Sequence, residues 1–252
     1  MNKLFNFILI APLLFSACSK KPVIELPITT TSPKALEHYN KAMLYQEVYE
    51  GFESKTDLAL ALVLDSNFAM AIEKYPTQDP LVRRKNREKV DSLIDKLSMA
   101  EQLRIKINRS YRDKNMDKAL EHAKKLVELH GDSYESYLWL GQVQSDRNEL
   151  DDAIKSIKKA IELNPDSYEA YDKLIGHHIP MGDIVMLPQE RRDTDLGGEY
   201  ADELIRIRPD AGLPYHWKAN IYRQLGQFEK AKPLYEKSIE KRKGKSAESS
   251  AY

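Results

Sequence analysis

Residues 134–167 read YESYLWLGQVQSDRNELDDAIKSIKKAIELNPDS, and the 34 residues before them read AEQLRIKINRSYRDKNMDKALEHAKKLVELHGDS. At this constant offset, residues 119–140 are identical at many positions to residues 153–174. A period of this length is typical of stacked helix pairs, each of which buries its apolar face only against its neighbours. The identical pairs are Ala119 and Ala153, Leu129 and Leu163, Asp132-Ser133-Tyr134-Glu135 and Asp166-Ser167-Tyr168-Glu169, Tyr137 and Tyr171, and Leu140 and Leu174.

The small and large residues of this period follow a known pattern. Residues 134–167 resemble the tetratricopeptide repeat (TPR), which carries a large residue at position 4, Leu-Gly at 7 and 8, Ala at 20 and 27, and Pro at 32. The small residues at positions 8, 20 and 27 allow two antiparallel helices to approach closely. The resemblance therefore implies two helices per repeat, stacked into a right-handed superhelix. The matching residues are Tyr137, Leu140-Gly141, Ala153, Ile157, Ala160 and Pro165.

The same register extends over most of the chain. We predict an all-α TPR solenoid of about five to six helix pairs over residues 34–243, followed by a frayed tail over 244–252. The predicted units are repeats near 35–68, 100–133, 134–167, 168–211 and 212–245, a degenerate pair over 69–99 with a shortened first helix, and an inserted loop over 180–192 within the fifth unit.

Three helix starts are marked by capping signals. Ser98 and Glu101 have the spacing of a capping box, in which each side chain accepts a hydrogen bond from the other residue's backbone. Asp132 with Glu135, and Asp166 with Glu169, have the same spacing with Asp in place of Ser. We therefore expect the first helices of three consecutive repeats to begin at these positions.

The first 17 residues have the features of a signal peptide. Lys3 precedes an apolar run from Leu4 to Phe15, which would span about 18 Å as a helix and is too short to cross a bilayer. Phe15-Ser16-Ala17-Cys18 resembles a lipobox, which implies cleavage before Cys18 and acylation of its thiol; an ordinary signal peptide with an incidental cysteine is the alternative. The following Ser19 favours the outer membrane, by resemblance to Gram-negative lipoproteins, with the protein facing the periplasm. Residues 18–33, with two prolines and a run of threonines, are predicted to form a flexible tether.

Composition limits the classes of partner. The chain has 39 basic and 39 acidic residues, so it lacks the basic excess of nucleic-acid-binding proteins. Cys18 is the only cysteine, which excludes an intrachain disulfide and a cysteine-based zinc site. The expected partners are therefore a protein or peptide of the cell envelope and, through acylated Cys18, the lipid bilayer.

Groove residues follow from the TPR resemblance, which implies that positions 2, 5, 9, 12 and 13 of each repeat face a concave surface. Arg104, Asn108 and Arg112 would form a polar stripe suited to a carboxylate or a peptide backbone; a merely solvated helix face is the alternative. The later positions do not match the carboxylate clamp of chaperone-binding TPRs. The predicted partner-binding residues are Arg104, Asn108, Tyr111, Arg112, Gln142, His216, Asn220 and Arg223.

The inserted loop is a second candidate contact surface. It carries the apolar residues Ile184, Val185, Met186 and Leu187, which we expect either to dock a partner or lipid, or to fold back over a gap in the solenoid. We predict that Arg104→Ala together with Arg112→Ala weakens partner capture without lowering the melting temperature.

No motif predicts catalysis, a cofactor or a metal. His177 and His178 are adjacent, and adjacent helical side chains point about 100° apart, so both rarely reach one ion. Phosphate loops, zinc-protease motifs and nucleophile elbows are absent from the sequence. The predicted function is a non-enzymatic, membrane-tethered scaffold for protein–protein interaction in assembly or as an adaptor. The alternative is a nutrient- or carbohydrate-binding lipoprotein of an uptake system, for which Trp139 and Trp217 would supply aromatic platforms.

Overall fold

The computed structural model describes residues 22–179 and 187–245, and within these ranges the chain forms twelve α-helices and no strand. The helices form six consecutive antiparallel pairs, which confirms the predicted helix-pair solenoid. Their bounds are α1 Pro33–Glu47, α2 Gly51–Leu64, α3 Ala69–Lys74, α4 Pro80–Leu93, α5 Met99–Arg112, α6 Met116–Leu129, α7 Tyr134–Asp146, α8 Leu150–Leu163, α9 Tyr168–His178, α10 Thr194–Ile207, α11 Leu213–Gln224 and α12 Phe228–Arg242.

Helix pairs approach closely where the repeat places small residues. At Gly141 in α7, an added Cβ would lie 2.7 Å from Cγ1 of Ile157 in α8, which is closer than carbon atoms pack. Ala153 and Ala160 of α8 are fully buried. The small positions of the repeat therefore set the distance between the two helices of a pair.

Of the three predicted capping boxes, one forms in the structure. Ser98 and Glu101 form the capping box at the start of α5. The other two predictions were wrong: Ser133 and Ser167 are the N-cap residues of α7 and α9, without a side-chain cap bond. Each helix begins one residue later than an Asp N-cap would require. Glu135 in α7 and Glu169 in α9 therefore stand at the second helical position instead of the third, and neither completes a capping box.

Residues 22–31, which we call the strap, form an irregular segment before α1, with neither helix nor strand. The sequence predicted a flexible tether over 18–33, but Leu26 is buried in an apolar cluster with Ala100, Leu103 and Ile107. The backbone N–H of Thr31 donates to Asp65 at 2.8 Å. The strap is thus packed against the solenoid, because its apolar and backbone groups find partners there.

The turn between α1 and α2 reaches the far end of the solenoid. We call residues 44–50 the clasp. Val48 is buried in a cluster with Tyr168, Leu204 and Ile221 from α9, α10 and α11. Arg208, which follows α10, donates to the Leu44 carbonyl at 3.2 Å. The first helix pair therefore contacts the last pairs across the inside of the curve.

The clasp also contacts the segment after α12. Glu50 forms an ion pair with Lys245 at 2.8 Å, and its own side chain is almost completely buried. Lys245 lies in the tail predicted to fray from residue 244, so this part of the tail has a tertiary contact; residues 246–252 lie outside the described residues.

Candidate functional site

A cavity of about 540 Å³ lies on the inner side of the curve, enclosed by the clasp. Five of the six helix pairs, or the turns that follow them, contribute to its wall. Its size is that of pockets that bury a small ligand or a short stretch of peptide. Side chains of both charges and of apolar character line it: Met43, Leu44, Glu47, Tyr49, Lys74, Arg104, Tyr134, Glu135, Leu138, Trp139, Gln142, Tyr168, Glu169, Asp172, Lys173, Ile207 and Arg208 are among them.

Arg104 projects from α5 into the wall of this cavity. Its side chain is 5% exposed, and its Nε and Nη1 atoms have no hydrogen-bond partner among the described residues. Burial works against its charge, but the neighbouring Tyr39 and Glu135 outweigh burial and raise the pKa of Arg104. A buried guanidinium with unpaired donors is costly, so a ligand acceptor that reached these atoms would stabilise the complex.

Lys74 adds a second cation to the same wall. It ends α3, and its Nζ lies 5.9 Å from the centre of the Trp139 ring. Burial and the nearby Arg104 lower the pKa of Lys74. An acceptor placed between the two cations would relieve their mutual repulsion.

Carboxylates line the side of the cavity near the clasp. Glu47 is the last residue of α1, and burial together with the charge of Glu169 raises its pKa to about 7. Burial raises the pKa of Asp172 to about 6, although the indole N–H of Trp217 donates to it at 3.0 Å. Both groups hold their negative charge poorly and would be stabilised by a hydrogen-bond donor from a ligand.

Glu169 lies between these two regions of the cavity. Its side chain remains 52% exposed, and its Oε1 pairs with Lys173 at 3.2 Å, one turn along α9. Enclosure would raise the pKa of Glu169, but the cations Lys173 and Lys74 outweigh it and lower that pKa. Glu169 is therefore an ionised, accessible acceptor inside the cavity.

Only two of the eight predicted groove residues, Arg104 and Gln142, line the cavity. Tyr111 donates to Asp146 at 2.6 Å, which also accepts from Gln142 at 2.8 Å. Arg112 pairs with Glu73 at 3.4 Å.

The remaining predicted groove residues lie elsewhere. Asn220 accepts from the Tyr235 hydroxyl at 2.6 Å, and the His216 ring packs edge-on against Tyr235. Asn108 is partly buried and Arg223 is exposed, and neither lines the cavity. The structure therefore divides the predicted groove into a part that faces the cavity and a part that does not.

The burial of Arg104 also bears on one predicted phenotype. We expected Arg104→Ala with Arg112→Ala to leave the melting temperature unchanged. Because Arg104 is almost completely buried, its truncation would create a void and remove the positive charge beside Glu135, so we now expect a destabilised protein. Arg112 is exposed, so its truncation creates no void, although it removes the ion-pair partner of the buried Glu73 carboxylate.

The inserted loop is described only at its end. Leu187 is 2% exposed, which contradicts a docking contact at this position and agrees with the alternative in which the loop folds back onto the solenoid. The carbonyl of Leu187 accepts from Arg192 at 2.8 Å, which folds the loop end back onto itself. Ile184, Val185 and Met186, like Cys18 and the signal peptide, lie outside the described residues.

The adjacent histidines have separate partners. His177 lies 3.2 Å from the Ser145 hydroxyl through Nε2, and His178 Nδ1 accepts from the Asp193 backbone at 3.2 Å. Burial and the neighbouring His178 lower the pKa of His177 to about 4, which keeps it neutral. Within residues 22–179 and 187–245, no group of three or more His, Cys, Asp or Glu side chains could hold a metal ion.

The two tryptophans do not share the site. Trp139 lines the cavity, whereas Trp217 does not and is held through its indole N–H by Asp172. The two tryptophans that the carbohydrate-binding alternative relies on are therefore not brought together in the cavity, where the other aromatic lining residues are Tyr49, Tyr134 and Tyr168.

Sequence reasoning missed several cavity residues, among them Lys74, Glu47 and Asp172. One signal was present in the sequence: Glu101, Glu135 and Glu169 recur at position 2 of three consecutive repeats. Lys74 and Glu47 come from the irregular first two helix pairs, which the repeat register does not place in the groove.

Comparison with known proteins matches two segments of the chain to a protein family. The family model described as tetratricopeptide repeat matches residues 111–177, and a second model with the same description matches residues 214–240. A crystal structure of MamA is 22% identical, with a TM-score of 0.50, and the match covers 66% of this chain and 96% of that chain. A structure of MamA from Desulfovibrio magneticus RS-1 is 16% identical over 57% of this chain and 76% of that one, with a TM-score of 0.46.

A third solved structure, of YrrB, is described as that of a TPR protein with an unusual peptide-binding site. It is 17% identical, covers 83% of this chain and 87% of that chain, and has a TM-score of 0.43. Among proteins with curated descriptions, none matches this chain. None of the helices in the described part of the chain is long and apolar enough to span a bilayer. The helix pairs, the register of small residues and the two repeat matches agree: this chain is a tetratricopeptide-repeat protein.

Proposed function

We propose that this protein is a lipid-anchored TPR scaffold of the cell envelope that binds a partner protein in the cavity beneath the clasp. The observation that carries the binding role is Arg104, a buried cation at the wall of a cavity whose Nε and Nη1 lack hydrogen-bond partners within residues 22–179 and 187–245. A group of this kind stabilises a complex more than it stabilises the free fold, because its donors become paired only when a ligand arrives. The role is binding and not catalysis.

The cavity has the mixed chemistry of a protein-binding surface. Lys74 and Arg104 supply donors, Glu169 supplies an acceptor, and Leu138 and Trp139 supply apolar area. Aromatic and arginine side chains at a partly enclosed centre are typical of residues that dominate binding energy.

The anchor is proposed from the sequence of the first 18 residues. A lipid chain on Cys18 would hold the protein on a membrane, with Ser19 favouring the outer membrane and the repeats facing the periplasm. Each buried methylene of an acyl chain contributes about 0.8 kcal/mol to membrane binding. We expect Cys18→Ala to release the protein from the membrane fraction. Retention of the variant on membranes would contradict the anchor and leave the binding site unaffected.

The test of the binding role is capture of partners from native membranes solubilised in mild detergent, read by mass spectrometry. Lys74→Met removes a cavity cation while keeping the length of the side chain, and Arg112→Ala removes a cation that does not line the cavity. We expect a defined envelope protein to be captured by the wild type and by Arg112→Ala, and to be depleted with Lys74→Met. Equal capture by all three proteins would rule out the cavity, and capture of no protein would rule out the scaffold role.

A further inference from the structure

The first ten residues of α4, residues 80–89, project from the solenoid; we call them the basic segment. Within α4 only Val90 and Leu93 are buried, and both pack in the cluster that includes Met70 and Ile72 of α3. The basic segment itself contains no buried side chain. Because α3 has only six residues, it covers the C-terminal end of α4 and leaves the basic segment exposed within residues 22–179 and 187–245.

A local excess of positive charge lies on this helix, in a chain whose formal net charge is zero. Among the residues of α4, the basic ones are Arg83, Arg84, Lys85, Arg87 and Lys89, and the acidic ones are Glu88 and Asp91. Five positive charges against two negative ones leave a net charge of +3 on α4.

Both acidic side chains of α4 are already paired with arginines. Glu88 lies 3.7 Å from Arg84, one turn away, and Asp91 pairs with Arg109 of α5. The side chains of Lys85, Arg87 and Lys89 form no hydrogen bond or ion pair within the two described ranges of the chain. These three exposed cations are therefore uncompensated.

Apolar side chains accompany the cations. Leu81 and Val82, in the first turn of α4, are 61% and 37% exposed. The centres of protein–protein interfaces are enriched in aromatic residues and methionine and depleted in lysine, and the basic segment contains neither an aromatic residue nor a methionine. Cations beside exposed aliphatic side chains on a helix are instead typical of a contact with a bilayer that contains anionic lipids.

The proposed lipid anchor lies within reach of this helix. Ile28 of the strap packs against the cluster that holds the C-terminal end of α4. The ten residues from Cys18 to Ile28 span at most about 33 Å of extended chain, and the fourteen residues of α4 span about 21 Å. A bilayer that holds an acyl chain on Cys18 can therefore also contact the basic segment.

We propose that the basic segment contacts the headgroups of anionic phospholipids in the bilayer that holds the acyl chain, with Leu81 and Val82 entering the headgroup layer. This inference rests on the proposed anchor and adds the orientation of the solenoid on the membrane. Three cations make a weak contact, so the acyl chain retains the protein and α4 orients it. At about 1 M salt the Debye length falls to about 3 Å, so a wash at that salt removes this contact without removing an acyl anchor.

The first test measures the contact in the acylated protein on vesicles of phosphatidylcholine, either alone or mixed with phosphatidylglycerol. Cys18 is the only cysteine of the chain, so Val82→Cys adds a single free thiol for an environment-sensitive fluorophore. We expect a blue-shifted emission that spin-labelled lipid quenches on the mixed vesicles, and neither effect on the neutral vesicles or in high salt.

Two triple variants show whether α4 is responsible. The α4 variant carries Lys85→Gln, Arg87→Gln and Lys89→Gln, which remove the uncompensated cations and keep good helix formers. The control variant removes three exposed cations of α6 and α8 through Lys118→Gln, Lys124→Gln and Lys155→Gln. We expect the α4 variant to lose the difference between mixed and neutral vesicles and the control variant to keep it.

A second measurement does not depend on the acyl chain. The Cys18→Ala chain is sedimented with the same vesicles, and any contribution from the segment before residue 18 is common to all variants. We expect tighter binding to the mixed vesicles, weakened by about tenfold or more in the α4 variant, because each cation near an anionic surface strengthens binding roughly fivefold.

The outcomes separate this contact from the anchor. Equal binding to neutral and mixed vesicles, or an α4 variant that behaves like the control variant, would overturn the contact. Loss of a captured acidic protein in the α4 variant, without vesicle binding by the unsubstituted chain, would also overturn it and assign the basic segment to a protein partner. Retention of Cys18→Ala on salt-washed membranes would contradict the anchor, and sedimentation would still decide the contact.

Discussion

The raised pKa of Glu47 makes the stability of the fold depend on pH. It ends α1, where the helix dipole already disfavours an anion, and its side chain is 28% exposed. Burial and the charge of Glu169 raise its pKa from an ordinary 4.5 to about 7, against the opposing effect of Arg208. A carboxyl with a raised pKa in the folded state destabilises the fold once it is ionised. We therefore expect Glu47→Gln to stabilise the protein at alkaline pH.

The size of the expected stability change follows from the shift in the pKa of Glu47. Each pH unit of displacement corresponds to about 1.4 kcal/mol, so ionised Glu47 costs about 3 kcal/mol, which solvent screening at a partly exposed site reduces to about 2 kcal/mol. Below pH 4.5 Glu47 is protonated in both states and the substitution has little effect. Between pH 4.5 and 7 the unfolded chain ionises first, so the destabilisation develops over this range and is complete above it.

The assay is urea denaturation at pH 5 and pH 8, followed by far-UV circular dichroism. Glu37→Gln, at an exposed position on the same helix, is the control for loss of one negative charge. Glu47→Gln should raise the free energy of unfolding by about 2 kcal/mol at pH 8 and by under about 1 kcal/mol at pH 5, because most of the effect develops between these values. A variant less stable than the wild type at pH 8 would refute this reasoning and show that attraction to Arg208 outweighs burial.

Further predictions concern the clasp, the strap and the packing of pairs. Val48→Ala removes buried methyl groups from the clasp and should lower stability by about 2 kcal/mol and speed hydrogen exchange over residues 44–50. Leu26→Ala should lower stability by about 2–3 kcal/mol and expose the strap to limited proteolysis, and an unchanged cleavage pattern would show that the strap is held by its backbone bonds alone. Gly141→Ala should destabilise by about 1–2 kcal/mol because its new Cβ meets Ile157 at 2.7 Å, whereas Gly198→Ala, with nothing within 4 Å, should stabilise by about 0.5–1 kcal/mol in thermal melts.

The repeating part of the fold could be predicted because its determinants are local. Ala153, Gly141 and Pro165 each act within one helix pair or between neighbours, so their spacing in the sequence determines their contacts in space. The same argument locates Arg104 and Gln142 on the inner face. It fails for Asn220 and Arg223: Asn220 accepts from Tyr235 within its own helix pair, Arg223 is exposed, and neither lines the cavity.

The enclosure of the cavity by the clasp could not be predicted from the repeat spacing in the sequence. The clasp belongs to the most loosely matching repeat, and its contacts to Arg208 and Lys245 join residues separated by most of the chain. Such contacts depend on the accumulated rotation from pair to pair, which is the sum of many small packing angles. The packing of the strap could not be predicted for a related reason. Pro22, Pro27 and the threonines between 29 and 31 indicate an extended chain, but this composition is found both in free tethers and in segments bound to carboxylates.

The position of the three glutamates connects these local and global features. Glu101 serves both as a capping residue of α5 and as an acceptor for the strap, since its two oxygens are shared between Ser98 and Thr29. In the next two repeats the N-cap serine, Ser133 or Ser167, stands two residues before the glutamate instead of three and makes no side-chain cap bond, so Glu135 is free to bind the strap and Glu169 stays accessible in the cavity. The same repeat position thus caps a helix in the first repeat, accepts from the strap in the first two, and presents an accessible carboxylate to the cavity in the third. The repeat supplies the spacing and the clasp supplies the enclosure, so the series presents an accessible acceptor where it meets the cavity.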